Sequence, residues 1–311
     1  MLNIICNFLL VESRFCFMPN DIVTRRRWSG EQSTHYSTIG LLISGAISGA
    51  LAKSAIAPMD RVKIVFQTDP MRPFKWSPIK AFVRDTYTNY GVRSFWRGHT
   101  ATLLRVAPYS ASNFFVFERT HSFLNRTIGS FTHPIGVKFV AGAISGSMAV
   151  CVTYPLETLR ARMAVDLTGK YLQGYVRAVH DIVQADGFRS LYSGLRPSLI
   201  GIVPYAGISF TVYETCKSED MDHFHRFLAG ALAGVVAQTA TYPLDVIRRR
   251  MQVYPQEYKY LWTTSSRILK TEGLVNGLYK GLSMNMIKGP MAVAISLNAN
   301  DYIKRIFLEA R

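Results

Sequence analysis

Charge is scarce in this chain. Only 18% of its 311 residues are Asp, Glu, Lys or Arg, against about a quarter in soluble globular proteins. Acids are scarcer than bases, 20 against 36, which leaves a net charge of +16. The four cysteines, Cys6, Cys16, Cys151 and Cys216, form no C-x-x-C and no pairing ladder. That spacing excludes a disulfide framework or a cysteine zinc site and suits reduced thiols. Nucleophile–base pairs, a P-loop and metal-ligand spacing are all missing, and histidines such as His99, His121 and His180 are scattered. Enzymatic chemistry therefore has no visible footing, and no cofactor or metal is expected. The basic balance points instead to anionic partners: nucleic acid, acidic lipid or an anionic solute.

Apolar sequence is plentiful, at 49% of residues, and it is repeated. A proline, an acid two residues later and a base three beyond that occur three times: Pro58/Asp60/Lys63, Pro155/Glu157/Arg160 and Pro243/Asp245/Arg248. Each is preceded by a G-x-x-x-G, at Gly45/Gly49, Gly142/Gly146 and Gly230/Gly234. Each is followed by an aromatic-x-Gly, at Trp96–Gly98, Tyr192–Gly194 and Tyr279–Gly281. Any one of these signals is weak, but three copies in one register define a tandem triplicate. The partition is 38–130, 131–222 and 223–311, all one transmembrane domain.

Within a repeat the order is span, surface helix, span. Ile39 to Ala57 is long and apolar enough to cross a bilayer, with Lys53 its only charge. The pattern resumes after Pro58, which predicts one long helix kinked at proline, tolerated in membranes when neighbours cover the freed carbonyl. The glycine pairs are expected to let another backbone approach closely. Ser77 to Tyr90 reads as an amphipathic surface helix, and about 99–124 as a second span containing Pro108. The same unit recurs at about 136–163, 174–186 and 195–217, then at about 224–252, 260–272 and 282–308. Residues 1–37 lie outside the repeats and are expected to be disordered. Met1 to Phe17 lacks the basic flank of a signal peptide and is short for a span.

The thrice-repeated Pro-x-acid-x-x-base with its aromatic-x-Gly resembles the mitochondrial solute carrier family, over about residues 38–308. The resemblance implies an all-α membrane protein of the inner mitochondrial membrane, acting as a monomer. It implies six kinked transmembrane helices about a pseudo-threefold axis, three short matrix surface helices, and alternating access at a central cavity. Tyr279 to Asn285, Lys288-Gly289-Pro290 and Arg160 to Val165 are most similar to the family branch that exchanges coenzyme A for adenine nucleotides such as adenosine 3′,5′-bisphosphate. Cardiolipin is the lipid partner it implies, its phosphates held by helix N-termini and by Arg97 and Lys280; Ser193 breaks that pattern in the second repeat.

Ionised side chains at membrane depth cost about 3 kcal/mol or more, so they mark partners or pathways. One acid and one base per repeat predict a matrix gate of three pairs: Asp60 with Arg160, Glu157 with Arg248, Asp245 with Lys63. Family glutamines four residues past the base are matched by Gln67 and Gln252 but not by Ala164, so two braces are expected. At the far ends of the second spans, Glu118, Glu214 and Asp301 face Lys217, Lys304 and His121 in a cytoplasmic gate. His121 replaces a permanent cation, so its pair with Asp301 depends on protonation, and Asn300 replaces an aromatic. That ring is expected to be the weaker, favouring opening toward the cytosol.

An asymmetric solute must be read where the symmetry breaks. Arg105, Gly201 and Lys288 occupy one equivalent position, and Gly201 is followed by Ile202. Two cations beside a small apolar ledge suit phosphates at one end of a solute and a flat base at the other, arginine offering a planar fork and lysine a point charge. In adenine-nucleotide members of the family a glycine–aliphatic pair stands where Gly201-Ile202 stands here. Lys53 and Arg249 also lack symmetric counterparts and join the candidate site. Tyr205 either stacks on the base or packs, as Tyr109 would. Two other classes stay open from sequence, a basic nucleic-acid-binding repeat protein and a membrane adaptor without transport; within carriers, ADP/ATP or another nucleotide cofactor is the alternative substrate.

Overall fold

The computed structural model describes residues 38–127, 134–167, 174–217 and 222–309, with Gly169 and Tyr171. The N-terminal extension 1–37 lies outside the described residues. Among them are nine α-helices: α1 (Thr38–Thr68), α2 (Trp76–Tyr90), α3 (His99–Thr127), α4 (Pro134–Val165), α5 (Tyr175–Asp186), α6 (Leu195–Cys216), α7 (His223–Val253), α8 (Leu261–Glu272) and α9 (Leu282–Glu309). Each of the six long helices carries a proline in its interior, Pro58, Pro108, Pro155, Pro204, Pro243 and Pro290. The helix resumes beyond each proline, as the continued apolar pattern predicts.

Packing is cyclic. α3 runs along α4, α6 along α7, and α9 returns to α1, while α1, α4 and α7 also touch one another pairwise. Segments 136–165, 188–216 and 224–253 satisfy length and hydropathy for a membrane crossing on their own. The other three long helices carry more polar side chains on the same plan. Large apolar residues stand on the outside, among them Leu51, Phe115, Ile144, Leu232 and Ile287. An exterior of that kind suits hydrocarbon, not water.

The short helices α2, α5 and α8 seat one apolar face on the C-terminal half of their own repeat's first span. Ile79 and Phe82 pack on Val62, Val65 and Phe66; Ala178 and Ile182 on Leu159 and Met163; Ile268 on Val246, Ile247 and Met251. Each short helix ends at a glycine with positive φ, Gly91, Gly187 or Gly273.

The glycine pairs need correction. A Cβ at Gly45, Gly49, Gly142 or Gly146 would meet nothing within 4 Å, so no backbone approaches there. The close-packed stripe lies one residue earlier in each repeat: Ser44–Ser48–Ala52, Ala141–Ser145–Ala149 and Ala229–Ala233–Ala237, all buried. Small side chains at i, i+4 and i+8 serve the same purpose as glycine.

Where glycine is required is the aromatic-x-Gly. Gly98, Gly194 and Gly281 have φ of 79°, 81° and 83°. A Cβ on Gly98 would lie 3.0 Å from the Arg160 carbonyl, and one on Gly194 only 2.8 Å from that of Arg248. The start of α3 or α6 thus presses against the next repeat's proline-end base. Gly194→Ala combines left-handed strain of about 1–3 kcal/mol with a steric clash, so it should lower the midpoint of thermal unfolding in detergent. Gly207→Ala, with open space around it, is the control that should not.

Candidate functional site

The acids of the repeated motif lie at the proline end of α1, α4 and α7, and their surroundings differ sharply. Asp60 accepts a hydrogen bond from Arg160 Nη2 at 2.7 Å and forms an ion pair with Lys288 of α9. Glu157 is 1% exposed and gathers three guanidinium groups. Arg248 pairs with it directly, Arg249 approaches at 3.5 Å, and Arg105 of α3 at 3.6 Å. Asp245 forms no ion pair among the described residues: its Oδ2 accepts from Gln238 Nε2 at 3.1 Å. Lys63 instead donates to Asn285 Oδ1 at 2.9 Å and lies over the Tyr242 ring, 5.1 Å from its centroid.

Two of the three expected proline-end pairs are therefore brought together, and Lys63–Asp245 is not. The physical reason is competition by two amides that the motif does not reveal. The glutamines follow suit. Gln252 accepts from Arg249 Nη1 at 2.9 Å and donates to the Tyr154 hydroxyl at 3.0 Å, bracing the Glu157 cluster. Gln67 is buried, and its Nε2 has no hydrogen-bond partner.

The symmetry-breaking cations converge on the same acids: Arg105 and Arg249 on Glu157, Lys288 on Asp60. None points outward to lipid. Lys53 is partly buried, and its charged neighbours are the cations Arg105, Arg160 and Lys288. Arg105 is 1% exposed and sits over the Tyr109 ring, yet neither Nη1 nor Nη2 donates a hydrogen bond. The expected open ledge is covered. Gly201 is buried against Leu244 of α7, and Ile202 joins Tyr109, Ala149, Val150 and Tyr154 in a core cluster. Tyr205 is buried as well.

At the opposite end none of the expected pairs between repeats is formed among the described residues. Glu118, Glu214 and Asp301 are exposed. Lys217 meets Glu214 three residues back in its own chain segment at 3.8 Å. His121 stacks on Phe117 and contacts Asn125 at 3.4 Å. The side chain of Lys304 lies outside the described residues.

Sequence reasoning missed a second ring. Arg162 donates Nε to the Gln252 carbonyl at 3.0 Å and Nη1 to Asp186 at 2.6 Å. Arg250 likewise reaches the Gln67 carbonyl at 3.3 Å and Glu272 through Nη2 at 2.7 Å. In repeat 1 the equivalents are Val65 and Tyr90, and Arg61 supplies the missing contact, to the Ala164 carbonyl at 3.0 Å. Each first span is thus tied to the next. The signal was available: the acid directly before Gly187 and Gly273, absent before Gly91. Arg97 and Lys280, expected on lipid phosphate, are engaged elsewhere. Arg97 donates to the Asp166 and Leu167 carbonyls at 3.0 and 3.1 Å, and Lys280 to the Asp69 carbonyl at 2.7 Å. Both bind the neighbouring repeat's loop because its carbonyls lie within reach.

Three hairpins closed into a ring, with charged side chains meeting inside an apolar wall, define a membrane solute carrier. The chain belongs to the mitochondrial carrier family: the family model "Mitochondrial carrier protein" matches residues 34–127, 131–223 and 219–311. It is accordingly a multi-span protein of the inner mitochondrial membrane and not an enzyme. It is 43% identical to the mitochondrial coenzyme A transporter SLC25A42 of Xenopus tropicalis, over 91% of this chain and 89% of that one. Identity to the human protein of that name is 41%, over 87% and 88%. A Dictyostelium discoideum protein, mitochondrial substrate carrier family protein P, is 35% identical over 85% of this chain and 93% of its own.

Proposed function

We propose that this carrier exchanges coenzyme A for adenine nucleotides, such as adenosine 3′,5′-bisphosphate or ADP, by alternating access. The observation that carries the reading is Arg105, a buried guanidinium whose Nη1 lies 3.6 Å from Glu157 and whose two terminal nitrogens make no hydrogen bond among the described residues, grouped with Lys53, Arg249 and Lys288. With Arg160 and Arg248 these make six cations against two shared carboxylates, Asp60 and Glu157, a surplus of positive charge in a low-dielectric interior, where an unpaired charge is costly. A phosphorylated solute supplies the missing anion: the arginines present forks, Lys288 and Lys53 point charges. The relatives' names, coenzyme A transporters among them, support the same substrate.

In this reading Asp60–Arg160 and Glu157–Arg248, braced by Gln252, form the matrix gate, and this conformation is closed there. At the other end Glu118, Glu214 and Asp301 are exposed and no ion pair joins one repeat to another among the described residues, which in this reading is an open cytoplasmic gate. Gly201-Ile202 receives the adenine once Leu244 moves away as α7 shifts. Proteoliposomes loaded with coenzyme A should take up adenosine 3′,5′-bisphosphate or ADP only while coenzyme A leaves. Exchange of ADP for ATP with coenzyme A inert would favour the nucleotide alternative, and no exchange of any adenine compound would refute the reading.

A further inference from the structure

Asn285 and Gln238 hold the two halves of one gate pair in separate places. Asn285 Oδ1 accepts from Lys63 at 2.9 Å, and Gln238 Nε2 donates to Asp245 at 3.1 Å. Neither amide belongs to the threefold pattern. The positions equivalent to Asn285 carry Thr102 and Ser198, and those equivalent to Gln238 carry Lys53 and Val150. A third amide also differs between the two places. Beside the Glu157–Arg248 pair, Gln252 accepts from Arg249 and donates to Tyr154. The equivalent Gln67 keeps a buried, unpartnered Nε2. A buried amide left without a partner is unfavourable, so this side of the gate is less completely satisfied than the Glu157 side.

We infer that Asn285 and Gln238 are positioning residues that keep Lys63 and Asp245 apart, so that the matrix gate closes on two ion pairs instead of three. The consequence is kinetic. A partly buried ion pair must be broken each time the gate opens, and removing one of three lowers that barrier. This inference rests on the transport reading for its meaning, but its first test does not need a substrate.

The test borrows residues from the protein's own repeats. Asn285→Ser installs the second repeat's residue and frees Lys63; Gln238→Val installs the second repeat's residue and frees Asp245. Thermal unfolding in detergent is measured for each and for the double variant. Loss of an ordinary packing amide lowers the midpoint. Release of a third gate pair raises it, by about 1.5 °C for a gain that slows exchange about fivefold. Adding Asp245→Asn to the double variant should then remove the gain. A midpoint that falls or stays level in both single variants overturns the proposal, as does a gain that survives Asp245→Asn. Should Asn285→Ser fail to fold, Gln238→Val carries the same test from the other partner. A raised midpoint in a protein that exchanges nothing would refute the transport reading while leaving the positioning role intact.

Discussion

Lys288→Ala and Arg105→Ala should each lose nearly all exchange while the protein still inserts and folds. The structure explains why the two effects separate. Without Lys288, Asp60 keeps Arg160 at 2.7 Å. Without Arg105, Glu157 keeps Arg248 and Arg249. Neither acid is stranded, so the fold survives. The substrate loses a charge-assisted contact worth about 1.5–3 kcal/mol, or roughly ten- to hundredfold in rate, and more where phosphate has no second cation. Uptake into proteoliposomes, normalised to reconstituted protein, measures the loss. Arg105→Lys should fall between, because it keeps the charge and loses the fork. Normal uptake in both alanine variants would exclude these residues from the site.

Glu157→Gln should do the opposite, damaging stability first. One carboxylate, 1% exposed, is the shared counter-ion of Arg248, Arg249 and Arg105. An amide there leaves three guanidinium groups uncompensated in the membrane interior. Removing one partner of a buried pair costs about 3–5 kcal/mol, which for a chain of this size means a midpoint lower by roughly 5–8 °C. Asp301→Asn, at the exposed and separated opposite end, should shift the midpoint by no more than about 1 °C. Equal effects of the two substitutions would mean that Glu157 has no special standing.

Most of the fold was legible because its punctuation is chemical. Proline, the positive-φ glycines and the alternation of apolar spans with polar surface helices place nine helices within a few residues of where they lie. Faces were harder to read. Gly45 and Gly49 looked like the contact stripe, yet Ser44, Ser48 and Ala52 form it, because composition marks small residues without saying which side of the helix meets a neighbour. Pairing was legible only where nothing competes. Asp60–Arg160 and Glu157–Arg248 meet as the repeat implies; Lys63 and Asp245 do not, because Asn285 and Gln238 offer nearer partners that carry no charge to give them away. The Arg162–Asp186 and Arg250–Glu272 links were written in the sequence as an acid before a glycine. They were obscured by repeat 1, which lacks both members and uses Arg61 from a different turn of the helix.

The central claim is that the surplus cations around Glu157 and Asp60 receive a phosphorylated adenosine compound. Thermal unfolding of purified protein over a series of coenzyme A concentrations tests it most directly, since a ligand that binds only the folded state raises the midpoint with its concentration. A concentration-dependent rise in the native protein that disappears in Lys288→Ala is the predicted result. The same rise in both proteins, or none in either, would contradict it.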